Sequence, residues 1–164
     1  MMSHDRPRRG GRPAGQALVE FALVVPIFLI LLFGLIEVGR YIYLNNAFNE
    51  AAREAARFGS VEQWQHSCPA SVSSPDRFTC TAQIARERLS GAPADVLVDV
   101  ACNTMDSVAP PTGLAADECG SNDLLVVTVR TPSSGPTAFR FLTPVIGQLL
   151  GTPVITGKTQ VVIQ

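Results

Sequence analysis

Sixteen consecutive residues without a charge, Phe21 to Ile36, constrain this chain more than any other feature, because so apolar a run needs a non-aqueous environment or a large core. A bilayer core about 30 Å thick takes roughly 20 helical residues. Ala17 to Ile36 supplies that length, with Glu20 tolerated near one end. The flanks differ: Arg6, Arg8, Arg9 and Arg12 precede the run against Asp5 alone, whereas Glu37 and Arg40 balance after it. By the positive-inside rule, residues 1–15 form a basic cytoplasmic leader and everything after Tyr41 is exported. Tyr41 and Tyr43 fall where an interfacial aromatic belt sits. The reading is a single-pass protein of the cytoplasmic (inner) membrane.

Of the 164 residues, about 125 remain beyond leader and span, enough for one small domain with a modest core. Past Gly15 there are nine basic and thirteen acidic residues, a net charge of −4. This acidic balance offers no basis for nucleic-acid binding. All four cysteines, Cys68, Cys80, Cys102 and Cys119, lie in the exported part, where disulfides persist.

The helix need not stop at the membrane surface. Leu44 to Phe58 lacks proline, is rich in alanine, and repeats Leu44, Ala47, Phe48, Ala51, Ala55 and Phe58 at three- and four-residue steps. Gln16 to Phe58 therefore reads as one helix of 43 residues, roughly 64 Å long at 1.5 Å per residue, spanning the membrane over about 17–36 and amphipathic over 41–58. Residues 59–164 then form an extracytoplasmic α+β domain. Within it, Ser60 to Asp76 is loop-like, a short helix fits Thr79 to Ser90, and strands fit Asp95 to Ala101, Leu124 to Val129 and Val154 to Ile163. The expected sheet is antiparallel with about three strands. A bridge between Cys102 and Cys119 suits the loop between the first two strands and leaves Cys68 with Cys80, although four cysteines allow three pairings. The apolar segment from Phe139 to Leu150, broken by Pro144 and Gly147, fits a core loop better than a membrane-surface patch.

A glutamate one turn into a membrane helix needs a reason, since a charge at the bilayer centre costs about 2.5 to 3.5 kcal/mol on insertion scales. Glu20 either reaches the headgroups or has a partner. Were the chain cut after Gly15, Gln16 would carry a new ammonium group, and the glutamate of a neighbouring helix shifted along the axis would pair with it. Pro26 frees one carbonyl within the same helix, either as a simple kink or as a loosened site. Glu37 and Arg40, one turn apart at the outer interface, suit a local pair or headgroup contact.

Taken together, Gly15-Gln-Ala-Leu-Val-Glu20-Phe21-Ala-Leu-Val-Val-Pro26, Gly34-Leu-Ile-Glu37-Val-Gly-Arg40 and Ala51-Ala-Arg-Glu-Ala-Ala-Arg57 resemble the TadE-like family, pilin-related proteins of the tight-adherence (Flp pilus) assembly system. The resemblance covers residues 10 to 58. It implies that a prepilin peptidase cuts between Gly15 and Gln16. It further implies that the mature chain serves as a minor pilin or pseudopilin, with other pilins or pseudopilins and the Tad assembly machinery as partners, in the membrane or in the pilus. Glu20, whose charge pairing would set the register of assembly, is fifth in the mature chain and matches the family glutamate, and Phe21 occupies a place where major Flp pilins tend to have tyrosine. The long exported domain departs from those major pilins, which are little more than the helix.

No catalytic set emerges, and the chain reads as a structural and interaction protein without cofactor, itself the substrate of a peptidase. His66 stands beside Cys68, but a bridged cysteine is no nucleophile. Asp117, Glu118, Asn122 and Asp123 match no EF-hand spacing and read as a solvated acidic loop rather than a metal site. Two other organisations remain open. One is an uncleaved single-pass anchor carrying an extracytoplasmic protein-binding domain. The other is a secreted protein released by signal peptidase, for which Ile36 to Arg40 is a poor cleavage site.

Overall fold

The computed structural model describes residues 14–61, 64–89, 95–104, 119–134, 139, 141, 147–148 and 151–164. A helix α1, Ala14–Gly59, is followed by a one-turn α2, Trp64–Ser67, by α3, Arg77–Arg88, and by strands β1, Leu97–Asn103, β2, Leu124–Arg130, and β3, Thr156–Val162. Packing divides the chain into Met1–Ile36 and Glu37–Gln164. The architecture is the expected α+β one: a long N-terminal apolar helix, then a small domain with a short helix and a three-stranded antiparallel sheet stapled by two disulfides.

In the second unit, the α1 residues from Glu37 onward supply one wall of the core. Leu44, Phe48, Ala51, Ala52, Ala55 and Ala56 are buried, following the three- and four-residue steps of one helix face. The alanines leave room for close approach of the sheet. At Gly157 on β3 a Cβ would overlap the carbonyl group of Phe48 and lie 2.6 Å from the nitrogen of Asn49, so only glycine fits there.

The sheet runs in the order β1-β2-β3, with Val100 opposite Val127 and Val127 opposite Thr159. Alternation puts Leu125, Val127 and Val129 in the core between Val98, Val100 and Cys102 on one side and Gly157 and Val161 on the other. The opposite face is partly charged, and there Arg130 Nε donates to Asp99 Oδ2 at 3.0 Å. Asn122, with φ of 74°, turns the chain into β2, donates its N–H to the Ile163 carbonyl and so ties β2 to the end of β3.

Helix α3 starts earlier than Thr79. Asp76 is its N-cap: Asp76 Oδ1 accepts the Thr79 N–H at 2.7 Å, while the Asp76 N–H donates to Thr79 Oγ1 at 3.0 Å, a reciprocal capping box. The helix buries Cys80, Thr81, Ala82 and Ala85, and Arg88 bridges to Glu54 of α1 at 3.0 Å. The one-turn α2 lies in the stretch expected to be loop. It buries no side chain, so no apolar periodicity announces it.

Cys68 is bonded to Cys80 and Cys102 to Cys119, with Cα separations of 5.2 and 5.9 Å. These are the pairings the loop geometry favoured. The first fixes the segment after α2 to the first turn of α3. The second closes the connection from the end of β1 to the entry of β2. Closures over 12 and 17 residues each stabilise the fold by about 3 kcal/mol in the chain-entropy account. Phe139 is buried and Phe141 half-buried against the same core, as expected for that segment where it is described.

Candidate assembly helix

From Gly15 to Ile36, α1 presents apolar side chains in every direction. Leu18, Phe21 and Leu23 are 67–70 % exposed and Leu35 74 %. The mean hydropathy of its most apolar window is 2.8, and none of that window is buried within the protein. A soluble amphipathic helix has one polar side, and this segment has none. Length and composition suffice to cross a membrane, so the N-terminal helix fits a single-pass membrane protein.

Five of the expected site residues share this segment. Gly15 and Gln16 occupy the start of α1, and the Gln16 side-chain amide donates to Glu20 Oε1 at 3.2 Å, one helical turn on. Glu20 is exposed with its neighbours, so its carboxylate stands on the outer surface of an apolar rod. Phe21 projects beside it. Pro26 sits inside the unbroken helix, where its missing N–H leaves the Ala22 carbonyl without its usual donor. The remainder of the basic leader lies outside the described residues.

In the packed unit the helix carries a second group that sequence reading only half anticipated. Glu37 is 2 % exposed, and Arg40 Nη1 lies 3.9 Å from its Oε2. The Arg40 guanidinium in turn lies over the Phe139 ring, 4.8 Å from its centroid. Tyr41 and Phe141 meet the same ring edge to face at 6.1 and 5.4 Å. The local pair between Glu37 and Arg40 was legible from their spacing. Its burial, and the aromatic platform that receives Arg40, were not, although the Phe139-Arg-Phe141 triplet is the signal that a search for cation partners could have used.

The other candidates resolve simply. His66 stands on the exposed face of α2, and all four cysteines are in disulfides, so no thiol is available to it. Asp123 accepts the Gly120 N–H at 2.9 Å and shapes the turn into β2. Asp117 and Glu118 lie outside the described residues. Among the described residues no three His, Cys, Asp or Glu side chains converge as metal ligands would.

Residues 15–57 match the sequence model of the TadE-like protein family. The match lies wholly within α1, 43 of the 164 residues. Comparison with curated proteins and with solved structures finds no match to the chain. The TadE-like segment holds Gln16, Glu20, Phe21, Pro26, Glu37 and Arg40, and takes in both the apolar half of α1 and the alanine-rich half that packs on the sheet. The family suggests a component associated with the membrane-bound Tad pilus machinery. The sheet, α3 and both disulfides lie beyond the matched residues.

Proposed function

We propose that this protein is a minor pilin or pseudopilin of Tad (Flp) pilus biogenesis, cut by a prepilin peptidase between Gly15 and Gln16 and assembling through its N-terminal helix. The observation that carries the reading is the TadE-like match over residues 15–57 on a helix whose apolar surface is unburied from Gly15 to Ile36. The leader is cytoplasmic and Glu37–Gln164 is exported, consistent with two disulfides in that part. The protein works by packing and presenting surface, with no catalytic role and no cofactor.

The mechanism follows from the parts. The apolar half of α1 stores the subunit in the bilayer and then packs against the helices of other pilins. Cleavage creates an ammonium on Gln16, and Glu20 of an adjacent subunit, shifted by about one helical turn, neutralises it. In the uncut chain the Gln16 side chain occupies Glu20 Oε1, so the carboxylate is already oriented along the helix surface. A folded domain beyond the helix suits a subunit that primes or caps rather than one that forms the bulk of a fibre.

Intact-mass measurement with N-terminal sequencing, in cells with and without the cognate prepilin peptidase, tests this. A mature chain beginning at Gln16 only when the peptidase is present is the expected result. A full-length chain in both strains would overturn it and leave an uncleaved single-pass anchor with an extracytoplasmic binding domain.

A further inference from the structure

The outward face of α1 changes character well past Ile36. Val38, Ile42 and Tyr43 lie on it, each more than half exposed, and at the next three- and four-residue steps the exposed positions are Asn46, Glu50, Arg53 and Arg57. A helix face in water from Glu37 onward would turn polar there. This one turns polar between Tyr43 and Asn46. Of the two charged residues within the apolar reach, Glu37 is buried in the folded domain, and Arg40 lies over the Phe139 ring with its guanidinium 3.9 Å from the Glu37 carboxylate.

The two acids of the helix stand in opposite surroundings. Glu20 is exposed, so in hydrocarbon its carboxylate would face lipid, and the cost of that places it at the headgroups. Glu37 is under no such restriction, because protein rather than the surrounding medium covers it. A bilayer core about 30 Å thick takes roughly 20 helical residues, which counted from Phe21 end at Arg40. Tyr41 and Tyr43 then fall in the interfacial layer, where aromatic side chains gather and where a long cationic side chain such as that of Arg40 reaches the headgroups. Counting from Ala17 instead would strand Glu20 in hydrocarbon and leave Val38, Ile42 and Tyr43 in water.

We propose that α1 is set in the bilayer further outward than its apolar run alone indicates, with Glu20 among the inner headgroups, hydrocarbon from Phe21 to about Arg40, and the Glu37–Tyr43 stretch of the folded domain seated in the outer leaflet with lipid against Val38, Ile42 and Tyr43. Lipid accounts for where the apolar face ends. A neighbouring helix would set no limit at Tyr43, whereas a hydrocarbon core about 30 Å thick that starts at Phe21 does. The placement depends on the single-pass reading with a cytoplasmic N-terminus, and not on cleavage after Gly15.

The test uses the full chain in vesicles of phosphatidylcholine and phosphatidylglycerol, carrying Trp64→Phe and one of Leu31→Trp, Ile42→Trp or Asn46→Trp, all three at exposed positions. Lipids brominated along the acyl chain quench an indole in hydrocarbon, and acrylamide quenches one in water. Ile42→Trp should lose roughly half of its emission to brominated lipid, as Leu31→Trp should, while Asn46→Trp should respond to acrylamide. An Ile42→Trp emission as sensitive to acrylamide as that of Asn46→Trp would overturn the proposal. So would one shielded from both quenchers, which would assign the face to a neighbouring helix. A Leu31→Trp emission indifferent to brominated lipid would overturn the single-pass reading itself, and the placement with it. Trp64 lies 5.9 Å from the Arg77 guanidinium, so a second measurement leaves the chain unsubstituted. Carbene labelling from a diazirine on the lipid acyl chain should reach Val38 to Tyr43 and stop before Asn46, and label confined to residues before Glu37 would overturn the proposal.

Discussion

Gly157 of β3 meets the main chain of Phe48 so closely that a single added methyl group would overlap the Phe48 carbonyl. The alanine-rich stretch of α1 has its purpose here: small side chains at Ala51, Ala52, Ala55 and Ala56 let the helix sit low on the sheet, and glycine completes the approach. Gly157→Ala should therefore destabilise the C-terminal domain by about 1–3 kcal/mol, the range for overpacking a filled core. Gly120→Ala, whose nearest neighbour would be 3.7 Å away, should stay within about 0.5 kcal/mol of the parent. Urea unfolding of the full chain in micelles, followed by the fluorescence of the single tryptophan, Trp64, measures both. Equal midpoints for the two variants would refute the close approach.

Arg40 links a buried acid to an aromatic cluster, so its removal should be felt more than its partial exposure suggests. Arg40→Met leaves the Glu37 carboxylate buried without this cation and should cost about 3 kcal/mol. Glu37→Gln in the same chain should recover much of that loss, because the buried charge that Arg40 faced is then gone. A double-mutant cycle in the same urea assay should give a coupling of about 1–3 kcal/mol. Additive effects would mean that the two residues act independently.

Much of this was readable from sequence where the signal is local. The apolar run and the alanine-rich repeat specify α1, and alternating valines specify the strands, because periodicity reports which face of an element is buried. Periodicity does not say what covers that face. The contacts of Gly157 with Phe48 and of Arg40 with Phe139 join residues about a hundred positions apart, and nothing local in either stretch encodes them. Element ends shifted for a similar reason. β1 runs over Leu97–Asn103 rather than starting at Asp95, because pairing of Cys102 with Leu125 and Asn103 with Leu124 sets its register. α3 begins at Arg77 because Thr79 is the third residue of a capping box rather than the first of a helix.

The capping box gives its own test. Asp76→Ala removes the acceptor for the Thr79 N–H and should cost about 1 kcal/mol. Asp76→Asn, which keeps an acceptor oxygen, should lose less. The same urea midpoints decide it, and an unchanged midpoint for Asp76→Ala would deny the cap any energetic role.

Disulfide chemistry separates two halves of the C-terminal domain. Proteolysis without reduction should yield one peptide pair joined through Cys68 and Cys80 and another through Cys102 and Cys119, and mass spectrometry reads both. Replacing Cys102 and Cys119 together by serine frees the connection into β2 and should cost about 3 kcal/mol, as should the same change at Cys68 and Cys80. Any crossed peptide, such as Cys80 with Cys102, would contradict the fold itself, since the strand register depends on the second bridge lying beside the end of β1.

Glu20 tests assembly separately from folding, because it lies in the first unit and its hydrogen bond is to Gln16 of the same helix. Its carboxylate lies on the exposed apolar surface beside Gln16, so Glu20→Ala should leave urea unfolding of the domain unchanged. If register is set by charge pairing with a neighbouring Gln16 ammonium, the variant chain should still be cut after Gly15 yet co-purify poorly with its partner pilins. The lost pair corresponds to about 1–2 kcal/mol, roughly five- to thirtyfold in a dissociation constant. Glu20→Gln keeps the shape and the hydrogen bond to Gln16 but not the charge, so it should resemble Glu20→Ala in co-purification. Quantitative pull-down from detergent-solubilised membranes, with N-terminal sequencing of the recovered chain, distinguishes the outcomes. A Glu20→Gln chain that assembles as the parent does would show that hydrogen bonding, not charge, is what the position supplies.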